Sequence, residues 1–196
     1  HISNIIKLSE NEEVICAIPV SNFDNKIDIS IVSKNGMIKK TNLSDFKVSR
    51  YSKPISCMKL KDDDETINAF LVQYNDIFIS TYNGYGLWFD IGEVPTSGIK
   101  SSGVKAINLK NDIIVSANNF DKNKEYVTIF TDKRTAKRVR LEELEKSSRA
   151  RRGLLLIREV KTNPYKIIKT FIEDNKNYFG LRINNNIEQI KNTEIT

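Results

Sequence analysis

The chain has few of the residues with which enzymes most often bind metals or transfer protons. Its 196 residues include one histidine, His1, and two cysteines, Cys16 and Cys57. These numbers exclude a zinc site of the usual Cys/His spacing, and no glycine-rich loop of the P-loop or dinucleotide-binding kind is present. The carboxylates fall in solvated runs that offer no pair for acid–base chemistry. We therefore predict that these residues hold no catalytic site, no metal and no cofactor.

Long apolar runs and targeting signals are also missing from the sequence. No apolar run approaches the roughly 18 residues that a membrane span requires, so no membrane partner is expected. The chain shows no signal-peptide pattern and opens on His1, which indicates a piece of a longer protein. Both cysteines lie in apolar surroundings without a partner motif. We interpret them as small buried residues of a reducing compartment, the cytoplasm.

What the sequence does contain is a hairpin pattern that recurs about every 50 residues. The first copy, Asp28 to Phe46, has an alternating strand, the turn Asn35-Gly36, a return strand and two apolar anchors. Asn-Gly predicts a type I′ turn, because both central residues of that turn need positive φ. Three further copies follow, each 48 to 51 residues after the one before. Their turns fall at Asn83-Gly84, Lys133-Arg134 and Asn184-Asn185, with successive spacings of 48, 50 and 51 residues.

A second pattern keeps the same period between the hairpins. It is a loop rich in Lys, Arg, Gly, Ser and Pro that leads into an apolar run. Its copies span residues 50–60, 99–109 and 149–160. Two patterns with one period of about 50 residues indicate a repeat architecture. An all-β sandwich with regularly spaced turns is the alternative.

These repeats predict an all-β fold, a propeller-like array of four-stranded blades with four full copies and a leading fragment. We place the blades within a single domain, 1–196, at residues 1–22 (partial), 23–66, 67–112, 113–163 and 164–196. No repeat can bury both faces of its own sheet, so neighbouring sheets must stack. Whether each blade is self-contained or borrows strands from the next stays open.

Several elements outside the hairpins are predicted from shorter patterns. Apolar runs predict strands at Val14–Val20, Ile55–Leu60, Ile67–Tyr74, Asp112–Asn118, Leu154–Val160 and Tyr165–Phe171. The charged run Lys61–Glu65 is interpreted as a solvated turn. Trp88 and Phe89, the bulkiest pair of the chain, are predicted to lie in the core.

Positive charge is concentrated in one part of the sequence. The net charge is +6, and residues 132–158 contain ten Lys or Arg against four acids, which leaves the rest of the chain near neutral. A focused basic patch is typical of a protein that binds a polyanion such as nucleic acid. A solvated face that keeps the protein soluble is the alternative interpretation.

At this point the motifs resemble a known family, the C-terminal domains of type IIA bacterial topoisomerase A subunits. The resemblance is carried by Val32–Thr41 with Leu43 and Phe46, by Gly103–Leu109 with Asp112–Val115, and by Thr135–Val139 with Arg151–Glu159. The last pair is most similar to topoisomerase IV A subunits, with gyrase A subunits as close relatives. The gyrase branch carries a basic, glycine-rich box in its first blade. The nearest run here, Ala150–Leu154, lacks the second glycine and the following lysine and lies in a late blade. The sequence is interpreted as beginning after the first blade, so the absence of the box does not exclude gyrase, which stays an alternative.

The resemblance implies a β-pinwheel whose blades exchange strands, with double-stranded DNA wrapped or bent around a basic outer rim. It implies a non-catalytic domain that guides substrate choice in supercoil relaxation and decatenation, within an enzyme used in chromosome segregation. ATP and Mg, the catalytic residues and the contacts with topoisomerase B subunits would then lie elsewhere in that enzyme, in the bacterial cytoplasm at the nucleoid. A protein-interaction propeller with an acidic partner is the alternative from another class.

We predict that loop and hairpin-end cations pair with DNA phosphates. These are Lys34, Lys39, Lys40, Arg50, Lys53, Lys100, Lys105, Lys133, Arg134, Lys137, Arg138, Arg140, Arg149, Arg151 and Arg152.

Overall fold

The computed structural model describes residues 8–49, 54–61, 63–158, 162–183 and 186–195, and within them the regular structure is β-strands and short 3₁₀ turns. The strands are β1 Asp28–Ser33, β2 Met37–Asn42, β3 Thr66–Leu71, β4 Asp76–Thr81, β5 Tyr85–Asp90, β6 Val104–Lys105, β7 Ile114–Phe120, β8 Tyr126–Thr131, β9 Ala136–Arg140, β10 Leu154–Leu155, β11 Ile167–Glu173, β12 Tyr178–Ile183 and β13 Asn186–Lys191. The 3₁₀ turns are Leu43–Phe46, Ile91–Glu93, Leu141–Glu143 and Asn192–Glu194.

Each of the first three predicted hairpins closes through a loop of three or four residues with one residue at positive φ. That residue is Gly36 (φ 95°), Gly84 (φ 99°) or Arg134 (φ 59°). Its N–H donates to the carbonyl three residues earlier, at 3.3, 3.0 and 3.1 Å respectively. The predicted type I′ turn is therefore wrong, because Asn35 and Asn83 are not at positive φ. A loop that needs only one such position explains how the third hairpin closes without an Asn-Gly pair. The predicted turn at residues 184–185 lies outside the described residues.

The sheets are antiparallel and borrow strands across the repeats. Sheet 1 has the order β3-β1-β2-β6, and sheet 2 has the order β10-β5-β4-β7. In each of these sheets a hairpin is flanked on one side by the next long strand of the chain, β3 or β7. On the other side it is flanked by a two-residue strand, β6 or β10, that follows the next hairpin. Sheet 3 is β11-β8-β9 and sheet 4 is β12-β13. From the sequence, the blades that contain the first two hairpins are predicted to end at residues 66 and 112. Sheets 1 and 2 both include strands from beyond these ends, so the blades borrow strands from later repeats.

Three of the apolar runs behave differently from the prediction. Val14–Val20 and Ile55–Leu60 have no regular structure, and in the described part of the run from Leu154, residues 154–158, only the first two residues form a strand. In the second run the backbone is used elsewhere, since the carbonyl of Cys57 accepts from Lys39 Nζ. The other predicted strands correspond to β3, β7 and β11 with ends shifted by up to three residues. Both cysteines are free and half-buried, not fully buried as predicted.

The core lies between neighbouring sheets. All six residues of β4 are buried. Ile77 and Ile79 belong to a cluster shared with sheet 1, whereas Phe78, on the opposite face, belongs to a cluster shared with sheet 3. Phe89 is buried in the first cluster and Trp88 packs, half-buried, against the second. Sheet 2 is therefore covered on both faces, as the stacking of repeats requires, and the predicted all-β fold of repeated small sheets is confirmed.

Candidate nucleic-acid interface

The connecting segments after the second and third hairpins each cover one edge of a sheet in the same way. We call residues 94–110 the first edge segment and residues 144–158 the second edge segment. Thr96 bridges to Lys40 of β2, and Lys146 bridges to Trp88 of β5, both in parallel. Each segment then turns back and adds its two-residue strand, β6 to β2 and β10 to β5. The repeat therefore places two basic loops at equivalent edges of sheets 1 and 2.

A glycine in each segment permits this close docking. A Cβ atom on Gly103 would lie 2.3 Å from the carbonyl oxygen of Ile38, and one on Gly153 would lie 2.2 Å from that of Gly86. Both glycines have positive φ, 77° and 83°, which other residues adopt at a cost of about 1–2 kcal/mol. Gly103 and Gly153 therefore fix where each basic loop meets its sheet.

The edge segments also contact one another. The N–H of Lys59 donates to Ser101 O at 3.1 Å, which joins residues 54–61 to the first edge segment. The N–H of Asn108 donates to Arg151 O at 2.9 Å, and the N–H of Ala150 donates to Ala106 O at 2.8 Å, which joins the first edge segment to the second. We call this connected surface, residues 54–61, 94–110 and 144–158, the edge strip. It passes along the edges of successive sheets without a break in contact.

Five of the predicted site residues lie on the edge strip, and three of them are exposed. Lys100, Lys105 and Arg151 present their side chains to solvent. Sequence reasoning missed five further exposed cations on the strip: Lys59, Lys61, Lys110, Lys146 and Arg158. Of these, Lys146 pairs with Asp76 and Asp90 at 2.7 and 3.0 Å. The 49-residue spacing of Lys61 and Lys110 matches the repeat and is a signal that could have identified them.

The other two predicted residues on the strip are engaged with the protein. Arg149 donates from Nε to Glu93 O at 3.2 Å and from Nη1 to Lys105 O, and its backbone N–H donates to the Glu93 carboxylate at 2.9 Å. Its guanidinium thus holds the second edge segment against the first and keeps only part of its hydrogen-bonding capacity for a ligand.

Arg152 is held more tightly. Its Nη1 donates to Asn108 O at 3.2 Å and to Leu109 O, and its Cζ lies 3.7 Å from the centre of the Tyr85 ring. Its Nη2 is 3.9 Å from Oδ2 of Asp112, whose side chain is fully buried. Asp112 in turn accepts the N–H of Asn83 at 3.0 Å. Arg152 therefore links the edge strip to the second hairpin turn.

The structure removes Lys39 from the predicted phosphate-binding set. Its side chain is fully buried, and Nζ donates to the carbonyls of Cys57, Gly98 and Ile99 at 3.0, 2.8 and 2.6 Å. Burial lowers the pKa of this ammonium group from its ordinary value. The three donors of an ammonium are thus matched by three main-chain acceptors, so no donor is left for a phosphate.

The remaining predicted residues lie off the strip or outside the described residues. In sheet 1, Lys34 pairs with Glu65 at 2.7 Å and Lys40 is half-buried near Asp28. The side-chain carboxylate of Asp64, in the run interpreted as a solvated turn, accepts the Ser33 hydroxyl at 2.6 Å and so supports the first hairpin turn. Arg50 and Lys53 belong to the residues that the structure does not describe.

The cations of the third hairpin are distributed along its length. Lys133 donates to Asn163 O and lies over the Tyr165 ring, and Arg134 is exposed at the turn. Arg138 donates to Asn175 Oδ1 at 2.7 Å, while Arg140, at the far end, pairs with Glu142 at 3.0 Å. Lys137 contacts the strip, since its Nζ donates to Leu156 O at 3.2 Å. The basic region of the sequence is therefore divided between the third hairpin and the second edge segment.

Two further kinds of site were sought in the part of the chain that the structure describes. There, no three His, Cys, Asp or Glu side chains come together as a metal ion would require. In the same residues, no helix has the length and apolar character needed to cross a membrane.

Small antiparallel sheets that stack on one another, repeat every 50 residues or so and share strands define a protein of the β-propeller class. The chain belongs to the family described as the DNA gyrase C-terminal domain, beta-propeller, whose model matches residues 28–73, 75–120 and 125–171. The family resemblance drawn from the sequence is confirmed.

Relatives within this family share much of the sequence. The chain is 40% identical over 172 residues, 87% of its length, to the A subunit of DNA topoisomerase 4 from Bacillus subtilis (strain 168). It is 34% identical over 169 residues, 86% of its length, to the protein of the same name from Staphylococcus epidermidis. The match covers 21% of each relative, so the chain spans about a fifth of the length of these proteins.

Solved structures agree with this assignment. The crystal structure of the C-terminal domain of DNA topoisomerase IV matches with a TM-score of 0.94 and 38% identity, over 100% of this chain and 62% of that one. The structure of the DNA gyrase A C-terminal domain matches with a TM-score of 0.78 and 17% identity, over 90% of this chain and 59% of that one. The second match supports the fold alone.

Proposed function

We propose that this chain is a non-catalytic DNA-binding domain of a topoisomerase IV A subunit, which binds duplex DNA through the edge strip. The observation that carries the proposal is the connection of successive edge segments, which places the exposed cations Lys100, Lys105 and Arg151 on one connected strip. The names of the curated relatives support it. The identities of 38–40% to topoisomerase IV sequences, against 17% to the gyrase structure, favour the topoisomerase IV branch over gyrase.

The chemistry of the edge strip suits phosphate groups more than bases. Exposed lysine and arginine side chains on loops pair with phosphates and release counterions, so affinity depends strongly on salt and little on sequence. The strip follows the edges of sheets 1 and 2, and in a radial array such a path curves. A curved row of cations favours DNA that is bent or crossed over straight duplex, since bending brings more phosphates within reach.

In the whole enzyme this domain would guide the choice of DNA substrate for relaxation and decatenation, and so serve chromosome segregation. The chemistry, with ATP and Mg, would be carried out by the B subunits together with the remaining parts of the A chain, in the cytoplasm at the nucleoid.

The proposal is tested by DNA binding of a strip variant and a charge-matched control. Lys100, Lys105 and Arg151 are replaced by alanine in one variant; in the control, the exposed lysines Lys26, Lys122 and Lys176, which lie off the strip, are replaced instead. Gel-shift titrations of duplex DNA at several salt concentrations give the slope of log K against log salt. We expect the strip variant to bind more weakly and to flatten the slope by up to about 2.7, or roughly 0.9 for each phosphate that is no longer bound.

The control variant removes the same three charges and is expected to keep the slope of the unmodified chain. Equal losses in both variants would show that net charge alone attracts DNA, and would overturn the assignment of the edge strip. A DNA-bending assay on the same proteins tests the preference for bent duplex.

A further inference from the structure

The ammonium of Lys39 joins parts of the structure that are distant in sequence. Lys39 lies in β2, but its three acceptors lie in two other segments: Cys57 O in residues 54–61, and Gly98 O and Ile99 O in the first edge segment. The next residue after those two carbonyls is Lys100, whose side chain is exposed. One buried cation is therefore bonded to the two residues that directly precede an exposed cation.

The equivalent positions in the other sheets show that this arrangement is specific. In the strand register, Lys39 pairs with Ile31, Leu87 pairs with Ile79, and Lys137 pairs with Ile129. Sheet 2 therefore has buried Leu87 at this place, and there Arg149 anchors the edge segment from its own side through Glu93 O and Lys105 O.

In sheet 3 a lysine returns at this position, and it again binds a main-chain carbonyl. Lys137 Nζ donates to Leu156 O at 3.2 Å. A lysine at this point of the return strand thus reaches the carbonyl groups of the segment that passes beside it. Where the lysine is absent, an arginine of the passing segment supplies the cation.

We infer that Lys39 is a positioning residue for DNA binding: its ammonium, bound by three carbonyl oxygens, holds the Gly98–Ser101 loop so that Lys100 can meet a phosphate. This inference rests on the proposed function of the edge strip. Lys39 makes no contact with DNA itself. Its charge acts through the loop, because a charged donor with three carbonyl acceptors fixes both segments to β2, whereas an apolar side chain would leave the three carbonyls without that partner.

A double-mutant cycle separates positioning from general stability. Lys39→Met keeps an unbranched side chain, one atom shorter, and removes its donors, and Lys100→Ala removes the phosphate contact. We expect each single variant to flatten the salt slope by about 0.9, the value of one phosphate contact. We expect the double variant to bind DNA as Lys100→Ala does, since a residue that acts through another adds nothing once that residue is gone.

A matched control is Ser30→Ala, because the Ser30 hydroxyl donates to the carbonyl of Lys39 at 3.0 Å and lies in the same buried layer without touching the ammonium. It is expected to keep the salt slope. Additive losses in the double variant, or a normal slope in Lys39→Met, would overturn the inference while leaving the edge strip intact. No effect of Lys100→Ala would instead count against the proposed function at this loop.

A second measurement applies if Lys39→Met folds poorly. Lys39→Ala with added propylammonium restores a cation with N–H donors to the three carbonyls, whereas tetramethylammonium, which has none, serves as the control at equal ionic strength. We expect amide hydrogen exchange of Ser101, whose N–H donates to Gly98 O at 3.0 Å, to slow with propylammonium only. Equal exchange with both salts would show that the ammonium does not hold the loop.

Discussion

At the scale of single residues, one chemical pairing serves two purposes in this molecule. Lys39, Arg149 and Arg152 donate to main-chain carbonyls of the edge strip, whereas Lys100 and Arg151 extend from its surface into solvent. A cation whose donors are already used stabilises the loop that carries its exposed neighbour. The number of basic residues in a segment therefore overstates how many can bind a phosphate.

Arg151 and Arg152, which are adjacent, allow a test of this difference between exposed cations and cations that bind carbonyls. We expect Arg152→Ala to lower the free energy of unfolding by about 1–3 kcal/mol, because it leaves the buried Asp112 carboxylate without its nearby guanidinium and two carbonyls without a charged donor. We expect Arg151→Ala, at an exposed position, to change stability by less than about 0.5 kcal/mol but to weaken DNA binding. Urea unfolding and gel-shift titration of both variants measure the two effects. A destabilising Arg151→Ala beside a neutral Arg152→Ala would reverse the assignment.

At the scale of elements, the sequence predicts local features well and non-local pairings poorly. The hairpins follow from alternation and from a turn, which are both contained in some 15 residues, and so the paired strands of all four are found. The two-residue strands β6 and β10 pair with β2 and β5, more than 60 residues earlier. A local apolar run predicts a strand from Leu154, but it gives neither the length nor the partner of that strand, since the position of both short strands is set by a glycine that fits against a distant carbonyl.

The candidate site shows the same limit. Lys39 and Lys100 look alike in the sequence, because both are lysines beside apolar residues in a basic stretch. Only the folded edge segment shows that one is enclosed by three carbonyls and the other is exposed. Ile55–Leu60 illustrates the converse, an apolar run that is not a strand because its backbone groups bind Lys39 and Ser101.

The docking glycines give a prediction for the second edge segment. Gly153→Ala would place a Cβ atom 2.2 Å from Gly86 O at a φ of 83°, so we expect β10 to leave β5 and the unfolding free energy to fall by at least about 1–2 kcal/mol from backbone strain alone. DNA affinity should fall as well, because Arg151 lies on this segment. Thermal unfolding and gel-shift titration measure both quantities.

Gly98→Ala is the matched control, since a Cβ atom there meets nothing within 4 Å. It is expected to leave stability within about 0.5 kcal/mol of the original. If the two glycine variants behaved alike, close docking at Gly153 would not be what fixes the second edge segment.

At the scale of the whole molecule, shared strands and shared cores connect the sheets into one stack. Sheet 2 contains β10, whose following residues Leu156 and Ile157 pack in the cluster shared with sheet 3. Buried polar contacts add to the connection, since the Ser80 hydroxyl lies 3.0 Å from that of Thr170 in β11. A repeat that borrows strands in this way cannot open alone without exposing its neighbours.

Because sheet 2 shares a core with sheet 1 and another with sheet 3, we expect a substitution that destabilises sheet 2 to destabilise both of its neighbours. Phe78 is fully buried between sheets 2 and 3, and Phe78→Ala is expected to cost about 3–5 kcal/mol. We expect native-state hydrogen exchange to report that loss at Ala106 N–H, bonded to Gly36 O in sheet 1, and equally at Ile167 N–H, bonded to Tyr82 O between sheets 2 and 3. Ile187→Ala, at a side chain 68% exposed, is the control and should change neither. Loss of protection at Ile167 with full protection at Ala106 would mean that the sheets open as separate units, and that the edge strip is held in line by its surface contacts alone.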